Sequence, residues 1–171
     1  MRRTFSSILL LAVALSACRI GRGRPPTPAG DAAVPQTRTQ ARTAVLAEVN
    51  QYYADLSARS WPAFTAHFWP GATITTAWQP PGEPRVRVDI QTVDQFVARA
   101  PLGPGSKPIF EERLLSSEIR IQRNLAFVWA RYAAAFGDEK ELQRWQGTDA
   151  FSLLQVDGNW KIVSLTFSGD E

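Results

Sequence analysis

The chain has 171 residues, 44% hydrophobic and 20% charged, which suits one globular domain plus a processed terminus. Its formal charge is +3, but seven of the 19 Lys and Arg residues precede residue 43, so residues 43–171 carry 12 basic and 15 acidic groups. That balance argues against a nucleic-acid partner, and the single Cys18 excludes an intramolecular disulfide and a metal–thiolate cluster.

The chain opens "MRRTFSSILLLAVALSAC". Arg2 and Arg3 form a charged start, and the apolar run over residues 8–15 is too short for a bilayer span, so the stretch reads as a secretory signal. Its end, "LSAC", resembles the lipobox of bacterial lipoproteins. The resemblance implies cleavage before Cys18 and diacylation of Cys18, which becomes the new N-terminus and the membrane contact. Several acyl chains hold firmly where one is marginal. Arg19, rather than Asp, follows the cysteine, which leans towards the outer membrane, facing the periplasm, in a Gram-negative cell envelope. Residues 1–17 are thus expected as signal peptide and 18–42 as the lipidated cysteine with a disordered tether. That second stretch is rich in Pro, Gly, Ala, Thr and Arg and lacks apolar periodicity. Residues 43–171 are expected as the folded domain.

"RTAVLAEVNQYYADLSARS" places Val45, Val49, Tyr52 and Leu56 at helical spacing and predicts the first helix. Ser60-Trp61-Pro62 starts a short second helix, with Ser60 as cap, Pro62 in the first turn, and Phe64 and Phe68 inward. "GATITTAW" (71–78) is a predicted strand ending in Trp78, "QPPGEP" a loop, and "RVRVDI" a strand with Val86, Val88 and Ile90 on one face. Thr92 and Gln95 have capping-box spacing and open a third helix. After the loop "PLGPGSKP" come strands at about 110–121, 124–136, 143–156 and 159–167. Helices followed by a run of long strands mean α+β: a curved, mainly antiparallel sheet wrapped against three helices of the N-terminal half. Such a sheet can bury the chain's six Trp and nine Phe.

This order, with "YYADLSARSWPAFTAHFWPGATI" and "DGNWKIVSLTFS", resembles the nuclear transport factor 2-like superfamily over residues 43–168. That group includes ketosteroid isomerases, SnoaL-like cyclases and kinase-association domains. The resemblance implies a cone-shaped, cystatin-like domain with a pocket between the helices and the concave sheet face, and often a dimer through the sheet. It puts Tyr52 on the isomerase tyrosine, but Thr76 where the isomerase carboxylate belongs. Ser164 and Thr166 stand where kinase-association domains carry two histidines. Hydroxyls are poor proton shuttles, so the family's titrating groups are missing at those positions. Tyr52 then reads as a core aromatic with its hydroxyl at the pocket edge, or as a catalytic donor.

Pairing Phe136 with Arg144 would set Arg131 opposite Asp149 and make Trp129 face Phe151. A buried charge needs a partner, so Arg131 and Asp149 are expected to meet inside the domain. The contact could be a structural ion pair, an anion or polar-ligand anchor through Arg131, or an acid/base site at Asp149 weakened by the adjacent guanidinium. A loop one residue different would break the pairing. A two-residue Asp157-Gly158 turn would bring Ser164 and Thr166 to the Asp149 face; a three-residue loop would bring Val163, Leu165 and Phe167. His67, the sole histidine, has no metal-ligand partner at a recognisable spacing and reads as structural or as a pocket group. The expected pocket residues are Tyr52, His67, Trp78, Trp129, Arg131, Asp149 and Phe151, with no cofactor and no metal. The leading reading is a lipid-anchored envelope domain that binds a small, largely apolar ligand or a protein partner without catalysis. The alternatives are an isomerase, dehydratase or cyclase using Asp149 or His67 with Tyr52, and a dimerisation module pairing through its sheet.

Overall fold

Helix α1 (Arg38–Ser57) is opened by a capping box: Gln40 N–H donates to the Thr37 hydroxyl at 3.2 Å, and Thr37 N–H donates to Gln40 Oε1 at 2.8 Å. The computed structural model describes residues 37–78 and 84–170, without the Trp78 side chain. Cys18, the signal sequence and most of the expected tether therefore lie outside the described residues. The helix begins at Arg38, within the stretch expected to be tether, so the boundary at residue 43 falls inside it. The tether-like composition of "TRTQAR" conceals a T-x-x-Q cap followed by Ala41, which is buried, and Arg42, which donates to the Ile119 carbonyl at 3.0 Å.

Helix α2 (Trp61–Ala66) carries Pro62 in its first turn, while Ser60 makes no side-chain cap. Strand β1 (Phe68–Trp78) starts before the expected Gly71. Phe68 pairs with Ile162, the chain bulges through Trp69-Pro70-Gly71, and pairing resumes at Thr73–Ser164. Pro70 has no N–H to give the ladder, and Gly71 adopts φ +84, which a side chain would resist. There follow β2 (Arg87–Thr92), α3 (Val93–Arg99) with the expected Thr92–Gln95 capping box, and a single 3₁₀ turn (Ala100–Leu102). The remaining strands are β3 (Ile109–Gln122), β4 (Leu125–Gly137), β5 (Leu142–Val156) and β6 (Asn159–Gly169).

The six strands form one mixed, open sheet in the order β2-β1-β6-β5-β4-β3, antiparallel except for the β1–β6 pair. The α+β class read from the sequence is therefore the observed one. One sheet face packs on α1 and α2: Val45, Val49, Leu56 and Phe64 meet Ile74, Val128, Phe151, Leu153, Ile162 and Leu165, all buried. Tyr52 stands edge-on to Phe151 at 5.1 Å and packs on Phe64 at 5.5 Å between ring centroids, geometries that add to area burial. The apolar face of β2 points to solvent instead: Val88 and Ile90 are 64% and 65% exposed on this edge strand.

Two details of register decide which side chains reach the concave face. Between β4 and β5 the loop closes at Gly137–Leu142, where the Asp138 carboxylate accepts the N–H groups of Lys140 and Glu141 at 3.0 Å each. Phe136 consequently pairs with Gln143 rather than Arg144, and Asp149 lies opposite Ala130, Arg131 opposite Thr148. A one-residue slip reverses every side chain, so the expected Arg131–Asp149 and Trp129–Phe151 pairs do not form. At the last turn, Asp157 (φ 49) and Gly158 (φ 80) make the two-residue connection. A bulge then displaces the ladder from Leu153–Ile162 to Ser152–Ser164, which pairs Phe167 with Asp149 and Leu165 with Phe151. The turn is the short one, yet Leu165 and Phe167 face inward, while Val163 is the residue the bulge leaves unpaired.

Candidate functional site

A cavity of about 180 Å³ opens between α1, α3 and the concave sheet. Helix α1 supplies Tyr52 and Leu56, and α3 supplies Phe96. The sheet contributes Ile74, Leu165 and Phe167, together with Phe110, Glu112, Tyr132 and Asp149. Each place follows from period-two alternation after the bulges: Phe110 and Glu112 share a face of β3, and Tyr132 continues the inward row Ala126, Val128, Ala130 of β4. Gly147 leaves the space that the Tyr132 phenol fills; a Cβ there would lie 2.4 Å from the Tyr132 hydroxyl oxygen.

Asp149 is 2% exposed, and the Tyr53 hydroxyl donates to its Oδ2 at 2.5 Å. Burial pushes Asp149 up to about 7, against the smaller opposing effect of the Tyr53 hydrogen bond. Glu112 is pushed up to about 8, first by burial and then by the charge of Asp149. The Ser57 hydroxyl holds the Glu112 backbone, donating to its carbonyl and accepting its N–H, both at 2.8 Å. Burial also raises both Tyr52 and Tyr53 above the usual phenol value, with Asp149 adding to each, and takes Tyr132 up to about 12. Among the described residues, the Tyr52 hydroxyl and the Glu112 carboxyl have no protein hydrogen bond, and both line the cavity. Arg59 closes one margin. In a left-handed backbone conformation (φ 54), it donates to the carbonyls of Pro104 at 2.9 Å and Lys107 at 2.8 Å, and lies over the Phe110 ring.

The sequence-derived site is partly dispersed. Tyr52 and Asp149 come together in the cavity. Arg131 projects from the opposite sheet face, where it pairs with both oxygens of Asp170 and donates to Thr148 Oγ1 at 3.0 Å. Trp129, at 58% exposure, shares that outer face, while Phe151 packs in the core rather than against the cavity. His67 lies outside the cavity: its Nδ1 meets Glu48 Oε1 at 2.9 Å and its Nε2 meets Asp55 Oδ2 at 2.8 Å, joining the end of α2 to α1. Burial alone would lower the imidazole, but the two carboxylates outweigh it and the group is raised. Trp78 ends β1, with its side chain outside the described residues.

Glu112, Tyr53 and Tyr132 also belong to the site, beyond the residues expected from the sequence. "FEERLL" did hold a usable signal, because Glu112 sits two residues from both Phe110 and Leu114 in an alternating strand. Among the described residues, no three His, Cys, Asp or Glu side chains cluster as a metal ion would require. The arrangement can grip a polar group on an apolar body and exchange a proton near neutral pH.

No family model and no curated protein matches the chain. Solved structures do. A nuclear transport factor 2-like superfamily protein from Salmonella enterica serovar Typhimurium aligns with TM-score 0.64 and 13% identity, over 79% of this chain and 94% of that one. An NTF-2 like protein of unknown function from Silicibacter pomeroyi gives 0.57 and 18%, over 79% and 100%. A candidate scytalone dehydratase from Novosphingobium aromaticivorans gives 0.61 and 16%, over 77% and 85%. At these identities the likeness establishes the fold: the domain has the nuclear transport factor 2-like architecture expected from its sequence.

Proposed function

We propose that the domain binds a compact, largely apolar small molecule in the cavity between α1, α3 and the sheet. Asp149, Glu112 and the Tyr52 hydroxyl take its polar group. The observation that carries this reading is the pair of carboxyls set in an apolar enclosure that, among the described residues, has no cation in its lining. Such groups cost stability, and perturbed acids in a cleft favour a functional reading over a structural one. The volume, about 180 Å³, is of the order that accepts a single six-membered ring.

Catalysis of proton transfer is the second reading, favoured by Asp149 titrating near 7 beside the Tyr52 phenol, a base and a donor in one enclosure. The likeness to a candidate scytalone dehydratase adds support for an isomerase or dehydratase type. One experiment addresses both readings. Cyclohexanone added to the protein in D₂O should perturb the ring signals of Tyr52, Tyr132 and Phe167. Exchange of its α-protons that disappears in Asp149→Asn would favour catalysis; perturbation without exchange would favour binding alone. Perturbation confined to the outer face around Trp129, or none, would count against the cavity as a site.

The envelope setting is proposed from "LSAC", with lipid on Cys18 holding the domain at a membrane. The Cys18→Ala chain is expected to move from the membrane to the soluble fraction and to lose the acyl mass on its N-terminal peptide. Continued membrane association of Cys18→Ala would exclude the anchor.

A further inference from the structure

We infer that the cavity is built for an organic cation: a compact molecule with one ammonium group on an apolar body, received between Asp149, Glu112 and Tyr52. The inference rests on reading this cavity as a ligand site and names the class of ligand.

Charge balance is the first argument. Among the described residues, no Lys, Arg or His lines the cavity. The nearest candidates are engaged elsewhere: Arg131 with Asp170 on the far face, Arg59 with the backbone carbonyls of residues 104–108. An anionic ligand would meet two acids with nothing to offset its charge. A neutral ligand would leave both carboxyls in an enclosure that penalises their ionised form. A cation supplies the missing charge, and in a poorly solvated site that attraction is several times stronger than in water.

Hydrogen bonding gives a second, independent argument. Tyr52 is 4% exposed and lines the cavity, yet its hydroxyl has no hydrogen-bond partner among the described residues. Among the described residues, Asp149 spends Oδ2 on Tyr53 and leaves Oδ1 without a donor, and Glu112 has none on either oxygen. A primary ammonium carries three N–H donors and no acceptor, and the ionised carboxylates of Asp149 and Glu112 and the phenol oxygen of Tyr52 can each accept one of them. The walls agree as well. Tyr52, Phe96, Phe110, Tyr132 and Phe167 line the same cavity, and aromatic rings attract desolvated cations.

The titrating groups facing the carboxyls are Tyr52 and Tyr53 from α1 and Tyr132 from β4; β1, β6 and α3 contribute apolar side chains. The phenols are all raised, so they stay neutral across the useful range. Binding should therefore strengthen as the pH rises through about 7 and 8, the values for Asp149 and Glu112, and each binding event near neutrality should release protons to the buffer.

The test compares three probes of one shape on the full chain by titration calorimetry: cyclohexylamine, cyclohexanol and cyclohexanecarboxylate. Cyclohexylamine is expected to bind at least tenfold more tightly than cyclohexanol at pH 8.5. That preference should fall towards parity at pH 5, and the heat at pH 7 should vary with the ionisation enthalpy of the buffer. Glu112→Gln and Asp149→Asn should each reduce the preference and its pH dependence, with thermal melts reporting that the variants are folded. Cyclohexanol or the carboxylate binding as tightly as the amine at pH 8.5 would overturn the cation assignment and leave the pocket reading standing. Binding of none of the three would overturn both.

Discussion

Replacing Asp149 by Asn is expected to raise the melting temperature by about 10 °C at pH 9 and to change it little at pH 4. The carboxyl titrates at 3.8 when free and is held near 7 in the folded domain by burial. Its folded value lies above its unfolded value, so the native state binds the proton more tightly. The associated stability is complete below about pH 4 and is lost as pH rises through about 7. Moving a carboxyl from 3.8 to about 7 is worth roughly 4 kcal/mol once both states are ionised. Asn keeps an oxygen for the Tyr53 hydroxyl and brings no charge into the enclosure, so the penalty at high pH disappears. Glu112 acts with the same sign over a range ending near 8. Thermal melts of both chains at half-unit pH steps give the result directly. A parent chain whose stability is flat from pH 5 to 9, or a variant destabilised at every pH, would contradict the burial of an uncompensated acid. A gain in stability together with loss of ligand response would mark Asp149 as a group retained for function.

Gly147→Ala is expected to cost about 3 kcal/mol and to lower the melting temperature by about 10 °C. A Cβ at this position would sit 2.4 Å from the Ser168 carbonyl oxygen and 2.4 Å from Cζ and Oη of Tyr132. Neither neighbour yields easily. The carbonyl belongs to the β5–β6 ladder, where Thr148 pairs with Ser168, and the Tyr132 ring is only 3% exposed. Relief must therefore push Tyr132 towards the cavity or part the two strands. The first route fills the ligand site and the second weakens the strand that carries Asp149. Ring-current shifts at Leu165 and Phe167, measured beside the melts, distinguish them. An alanine variant within 2 °C of the parent and with Tyr132 unmoved would show that the close approach is slack.

Much of the fold is legible in local sequence. The helical spacing of Val45, Val49, Tyr52 and Leu56 marks α1, the Thr92–Gln95 box starts α3, and Asp157-Gly158 makes the last turn. Each signal depends on residues within one or two turns of each other. The inward face of β4 was obscured because bulk is a poor guide there. Ala126, Val128, Ala130 and Tyr132 face the helices, while Phe127 and Trp129 face outward. Aromatic residues of α1 already occupy the space above the sheet, leaving room for small side chains on β4.

The sequence by itself determined the α+β class, the order of the elements and the presence of an acid within an apolar strand. Tertiary structure alone decided what that acid meets. The Asp138 loop set the register that sent Arg131 to the far face, and the bulge in β6 turned Leu165 and Phe167 inward. Tyr53 and Asp149 meet although 96 positions separate them in the chain. Periodicity is a property of near neighbours, whereas register, burial and the proton affinity of a carboxyl depend on segments that only the folded chain brings together.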